Sequence, residues 1–185
     1  TAKMIRCVDP SVVLLAAALP DEDWTTNLLR YAGSRLDMVS IHGYWDPLWQ
    51  DNKPADYLTC MMRCGLPEKQ IQMAEQTLAV AGLEDKIAIA FDEWNLRGWH
   101  HPNGNTAEAI QARDKNDINA TYRMADAIFS AGFLNCCFRH ARTVCMANMA
   151  PVVNTRGPLF VHPRGIVKRT TFHVLKMYSD HSRPN

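Results

Sequence analysis

Lys86-Ile87-Ala88-Ile89-Ala90-Phe91 runs directly into Asp92-Glu93-Trp94-Asn95. A short, near-continuous apolar run that stops at two carboxylates, an indole and an amide reads as a strand covered on both faces, with polar groups at its C-terminal end. Three further runs of the same kind flank it, at 12–19, 37–42 and 133–138. Between them lie amphipathic stretches expected to be helical: 21–33, 55–64, 67–81 with Gly82 as the stop, and 106–131 with Gly132 as the stop; another follows at 143–153. Strand and helix alternating in this way is the pattern of parallel β/α units. Four units are expected, in an α/β chain.

Parallel α/β folds place their chemistry at the C-terminal ends of strands. Three expected strand ends carry ionisable and aromatic groups: His42-Gly43-Tyr44-Trp45-Asp46, Asp92-Glu93-Trp94-Asn95, and Arg139-His140. Adjacent strand residues point to opposite faces, so Asp92 and Glu93 are expected to diverge, and periodicity alone does not say which one is functional. Tyr44, Trp45, Trp49, Trp94 and Trp99 cluster around these ends, the company that sugar sites keep, since aromatic faces stack on sugar C–H groups. No glycine-rich phosphate turn follows the first run, which passes into Pro20-Asp21-Glu22; a dinucleotide fold is therefore not expected.

Composition narrows the classes further. The 185 residues carry 20 Lys+Arg and 19 Asp+Glu, a formal net charge of +1, with the two signs mixed along the chain. Neither nucleic acid nor a membrane surface is an expected partner. The longest apolar run, eight residues from Val12 to Leu19, is far short of the roughly 20 that cross a bilayer. Cys7, Cys60, Cys64, Cys136, Cys137 and Cys145 show neither a CxxC pair nor zinc-ribbon spacing, so reduced thiols and no structural metal are expected. A rival metal set of His100, His101, His140 and His162, with Cys145, lacks chelating spacing. The opening residues show no initiator Met and no secretory pattern, and read as a chain entered partway.

Ile89-Ala90-Phe91-Asp92-Glu93-Trp94-Asn95 resembles the nucleophile strand of glycoside hydrolase family 51, the α-L-arabinofuranosidases. Met38-Val39-Ser40-Ile41-His42-Gly43-Tyr44-Trp45 resembles that family's sixth-strand motif; Ala147-Asn148-Met149-Ala150 with Val152-Val153-Asn154 resembles the helix after its eighth strand; and Lys168-Arg169-Thr170-Thr171-Phe172 resembles the exit from its barrel. The resemblance implies a (β/α)8 TIM barrel of which residues 1–185 supply strands five to eight, the first half and an accessory β-sandwich being absent.

It implies further that Glu93 is the catalytic nucleophile of a retaining hydrolase. That enzyme would release terminal α-L-arabinofuranosyl residues from arabinan, hemicellulose and related oligosaccharides. His42 and Tyr44 would contact the sugar, with Trp94 and Trp99 as further substrate contacts. The acid/base glutamate belongs to an Asn-Glu pair absent from this sequence; should the chain turn over alone, Asp46 or Glu22 would have to serve instead. Pro151 stands where family members often carry Gln. No cofactor and no metal are implied. The expected partners are the arabinofuranosyl substrate, the other half of the barrel and further copies in a homo-oligomer, in the cytoplasm rather than outside the cell. A noncatalytic carbohydrate-binding or assembly fragment is the alternative.

Overall fold

The computed structural model describes residues 1–18, 22–46, 54–98, 106–108, 111 and 122–182. In chain order these form α1 (Ala2–Val8), β1 (Leu15–Ala17), α2 (Glu22–Ala32), β2 (Met38–Asp46), α3 (Tyr57–Met62), α4 (Leu66–Val80), β3 (Ala88–Arg97), α5 (Met124–Arg139), β4 (Val144–Met149), β5 (Leu159–His162), β6 (Gly165–Lys168) and α6 (Thr170–His181). One sheet runs β1-β2-β3-β4 in sequence order, and β5 and β6 form a separate antiparallel hairpin. The pairing of β1 with β2 is parallel, Leu15 opposite Met38 and Ala17 opposite Ser40. Helices intervene between successive strands, giving the expected α/β chain with a parallel sheet.

Two of the expected elements are exchanged for their opposites. Residues 133–138, expected as the fourth strand, lie inside α5, and residues 143–153, expected as helix, hold β4. The apolar run Phe133-Leu134-Asn135-Cys136-Cys137-Phe138 has no polar face to reveal a helical period, and a short apolar run is the case that periodicity cannot resolve. Burial shows the period it has: Phe129, Phe133 and Cys136 are buried at spacings of four and three. Gly132 sits within this helix instead of ending it, and a Cβ there would meet nothing within 4 Å. The expected continuous helix over 106–131 is interrupted at Tyr122 and Arg123. A new start is made there, where the Asp126 carboxylate accepts from the Arg123 N–H at 2.8 Å, half of a capping box.

Other sequence signals hold. The Asp56 side chain accepts from the Thr59 N–H at 2.8 Å to cap α3. Gly82 takes φ +65° after α4, with the Gly82 N–H donating to Ala79 and the Leu83 N–H to Leu78, a Schellman end. Gly33 makes room for a neighbour: a Cβ there would lie 2.5 Å from Leu83 Cδ1 and oblige that side chain to shift.

The chain divides into two compact units. The first contains 1–43, 66–93 and 136–148; the second contains 44–65, 94–135 and 149–185. In the first, Val39, Ile41, Ile71, Leu78, Ile89, Ala90 and Phe91 are buried. Arg6 and the Leu14 N–H both donate to Asp37 Oδ2, at 2.6 and 2.7 Å, tying the start of the chain and the residue before β1 to the residue before β2.

In the second unit, Trp45 packs against Phe129 and Phe133 at ring distances of 5.3 and 5.5 Å, and Trp94 stacks on Phe133 at 4.0 Å. Arg97 lies among them with its charge fully matched. Its Nη1 donates to Asp46 Oδ2 at 2.5 Å, and its Nε and Nη2 grip both oxygens of Asp126 at 2.6 and 3.1 Å. Arg63 holds the other Asp46 oxygen at 2.8 Å.

Candidate active site

Four residues of the first unit converge on β2 and β3. Ile87, Ile89, Ala90 and Phe91 are buried, and exposure begins at Asp92 and Glu93, whose side chains are 28% and 33% exposed. His42 projects from β2 between buried Ile41 and Gly43, half exposed itself, as strand alternation dictates. Its Nε2 lies 3.3 Å from Asp92 Oδ1 and its Nδ1 3.6 Å from Glu93 Oε2. The two carboxylates expected to diverge thus meet opposite edges of one imidazole. Strand alternation separates them at the backbone, and the ring spans that separation.

Asp92 Oδ1 also accepts from the buried Ser40 hydroxyl at 2.5 Å, and Ser40 stands two residues before His42 on β2. Asp92 is therefore anchored across the strand pair. From α4, Gln70 donates to the His42 carbonyl at 2.7 Å, fixing the backbone from which the imidazole projects. Ser40 and Gln70 were not among the expected site residues; only Ser40, two positions before His42 and so on the same strand face, had a signal in the sequence.

The remaining expected site residues have mixed fates. Tyr44 lies partly buried in the second unit. Trp94 is 0% exposed and its ring is taken up by Phe133, so it is a core residue and offers no face to a sugar; Trp45 is likewise core. The physical reason is that β2 and β3 continue past their expected ends, to Asp46 and Arg97, so residues assigned to rim loops are strand residues facing a core. Asn95 is buried and donates to the Ala150 and Arg156 carbonyls at 3.3 and 3.1 Å. Asp46 is committed to Arg97 and Arg63 and is in no position to serve as an acid. Trp49, Trp99, His100 and His101 lie outside the described residues, and nothing is described of the Glu22 side chain.

Arg139 and His140 precede β4 instead of following a strand, and so they sit at the N-terminal edge of the sheet. There His140 Nδ1 lies 2.9 Å from Glu75 Oε1 and its Nε2 2.8 Å from Glu68 Oε1. Arg139 pairs with the other Glu68 oxygen, and the Thr143 hydroxyl with Glu75. The hydrogen bond from Arg139, followed by that from His140, holds Glu68 down at about 2. Burial alone would lower His140, but the two glutamates outweigh it and raise its pKa. Burial, followed by the neighbouring Glu68, pushes the Cys136 thiol up to about 12. Of the rival metal set, His162 Nδ1 accepts from the Arg164 N–H within the β5–β6 hairpin. Among the described residues the group close enough to hold an ion is Glu68, Cys136 and His140, which shares only His140 with the expected one.

With this geometry in place, residues 92–185 match the sequence model of the α-L-arabinofuranosidase C-terminal domain. The chain belongs to that family. Among curated arabinofuranosidases, it is 26% identical over 195 residues to the intracellular exo-α-(1→5)-L-arabinofuranosidase of Streptomyces lividans, covering 99% of this chain and 28% of that protein. It is 27% identical to intracellular exo-α-(1→5)-L-arabinofuranosidase 1 of Bacillus subtilis, covering 89% and 34%. The corresponding values for the probable α-L-arabinofuranosidase C of Aspergillus niger are 26%, 98% and 37%.

The fold matches the arabinose complex of the Thermotoga maritima α-L-arabinofuranosidase with a TM-score of 0.77 at 21% identity, over 97% of this chain and 34% of that one. A family 51 α-L-arabinofuranosidase from Bifidobacterium longum gives 0.77 and 21%, over 98% and 38%. The resemblance to family 51 arabinofuranosidases therefore holds. The chain spans about a third of the length of these relatives.

Proposed function

We propose that this chain supplies strands five to eight of a (β/α)8 barrel, and that the completed barrel is a retaining glycosidase acting on terminal α-L-arabinofuranosyl residues. The single observation that carries the reading is the placement of Glu93: a half-exposed carboxylate at the emergence of β3, facing the His42 imidazole. Asp92 beside it is tied down by Ser40. A nucleophile must reach the anomeric carbon, whereas a carboxylate held by a buried hydroxyl is suited to orienting its neighbours.

In this reading the ionised Glu93 attacks the anomeric carbon of the arabinofuranosyl unit, and the glycosidic oxygen leaves with a proton from a glutamic acid on the other half of the barrel. The two carboxyls would stand roughly 5 to 5.5 Å apart. Water then attacks the glycosyl-enzyme ester, that same glutamate takes its proton, and Glu93 is regenerated with net retention. His42, held between Asp92 and Glu93 and fixed at its backbone by Gln70, orients Glu93. Tyr44, the next position of like parity on β2, is assigned a sugar contact. The chemistry requires neither metal nor organic cofactor.

The alternative is a noncatalytic carbohydrate-binding or assembly fragment: the match of residues 92–185 to a C-terminal domain favours it, while two of the tryptophans it would use as sugar platforms are core residues. A cytoplasmic site of action accords with the names of the S. lividans and B. subtilis relatives. Among the described residues, no helix is long and apolar enough to cross a membrane.

The test is co-expression of this chain with the first barrel half of a relative, assayed on p-nitrophenyl α-L-arabinofuranoside. The pair should turn over, each part alone should not, and Glu93→Gln should abolish the activity of the pair. Sustained turnover by this chain alone would overturn the half-barrel reading.

A further inference from the structure

The cluster at the N-terminal edge of the sheet brings together three different donor types from two helices and the turn that follows one of them. Glu68 comes from the first turn of α4, Cys136 from the last turn of α5, and His140 from the turn leading to β4. One oxygen, one sulfur and one ring nitrogen all lie within 4.8 Å of one another. We infer that Glu68, Cys136 and His140 form a three-ligand site for a zinc ion, with the fourth position open to solvent.

The donor set selects the metal class. A thiolate, an imidazole and a carboxylate together suit zinc, whereas calcium and magnesium take oxygen ligands. Zinc bonds of about 2.0 to 2.3 Å place tetrahedral ligand atoms ~3.3 to 3.8 Å apart, so the His140 Nε2 and Glu68 Oε1 pair, now at 2.8 Å, must open by about half an ångström while the sulfur closes by at most about an ångström. The partly exposed Glu68 side chain, with several rotatable bonds, supplies that movement.

The surroundings are those of a supported site. Glu75 sits on the far ring nitrogen of His140 at 2.9 Å, the carboxylate–histidine arrangement that orients a ligating imidazole and raises its basicity. Arg139 occupies the second oxygen of Glu68 and leaves the first for the ion. A thiol ligates as the thiolate, so binding of the ion at Cys136 releases the thiol proton to solvent. A cavity of about 450 Å³ lined by Glu75, Arg139, His140 and Thr143 adjoins the cluster.

The test uses cobalt(II) as a spectroscopic stand-in for zinc, titrated into the full 185-residue chain in metal-free buffer. The expected result is one ion bound per chain, with a thiolate-to-cobalt charge-transfer band that stoichiometric zinc abolishes. Cys136→Ser should remove the band, Cys145→Ser should keep it, and Glu75→Gln should raise the Kd by about 10- to 100-fold. Should Cys136→Ser unfold the chain, Glu68→Gln at its partly exposed position decides, with at least a tenfold loss of affinity expected. No charge-transfer band, a band that survives Cys136→Ser, or an affinity indifferent to Glu68→Gln would overturn the site.

Discussion

Strands β2 and β3 each place charged residues in two separate groups, and the groups have opposite characters. His42 with Asp92 and Glu93 is half exposed, its ring 3.3 and 3.6 Å from the carboxylates. Asp46 and Arg97, joined by Asp126 and Arg63, are buried, with every contact between 2.5 and 3.1 Å. Buried charge persists only where it is paired and hydrogen-bonded, so the second group is fastened from all sides. A group that must exchange a neighbour for a substrate has to remain loosely held and open. The difference separates charges that maintain the fold from charges available to do work.

Glu93→Gln in the completed barrel should break this comparison most severely. Turnover of aryl arabinofuranosides is expected to fall by several orders of magnitude with the melting temperature nearly unchanged, because the nucleophilic carboxylate is lost while the amide keeps the size of the side chain and a carbonyl acceptor at a partly exposed position. Asp92→Asn should cost less. Steady-state kinetics beside thermal unfolding distinguishes the two outcomes. Arg97→Ala should do the reverse, since it leaves buried Asp126 without its guanidinium and buried Asp46 with Arg63 alone. A loss of about 3–5 kcal/mol is expected in a denaturant titration, and a loss below ~1 kcal/mol would mean that water enters the site and solvates the carboxylates.

His42→Ala is expected to sharpen the comparison at intermediate size. Both kcat and kcat/KM should fall together by about 100-fold, as for a contact that strengthens in the transition state. A rise in KM alone would make His42 a simple binding contact.

The smallest effect belongs to Asp37, whose carboxyl is held below the ordinary range by the Leu14 N–H and then by Arg6. Its folded-state pKa is depressed, so its stabilisation is present above the unfolded carboxylate value of about 3.9 and is lost as pH falls through the folded value. Solvent screening keeps this at about 1 kcal/mol or less. Asp37→Asn should flatten the acid limb of unfolding stability by that amount, measured between pH 5 and about 2.

Much of this was legible in the sequence where the signal was local. The apolar run ending at Asp92-Glu93 marked β3, Gly82 marked the end of α4, and the run over 37–42 marked the first half of β2 with His42 on it. What failed depended on tertiary partners. Residues 133–138 are apolar except for Asn135, because α5 buries Phe129, Phe133 and Cys136 while also carrying other apolar residues, so the helical period was hidden. The resemblance of Ala147–Ala150 to a helix after the eighth strand fell on a strand instead, since those residues end β4 and form the bend after it. Trp94 looked like a platform only because β3 was ended too early. The Glu68, Glu75 and His140 cluster joins residues more than 60 positions apart and had no spacing to reveal it.

The claim that Glu93 carries the reaction is tested most directly by trapping the glycosyl-enzyme. A 2-deoxy-2-fluoro arabinofuranosyl inactivator with a good leaving group should label the completed barrel once, and tandem mass spectrometry of the proteolysed protein should place the added sugar on Glu93. Label on Asp92, on a residue outside this chain, or no covalent label during time-dependent inactivation would contradict the account.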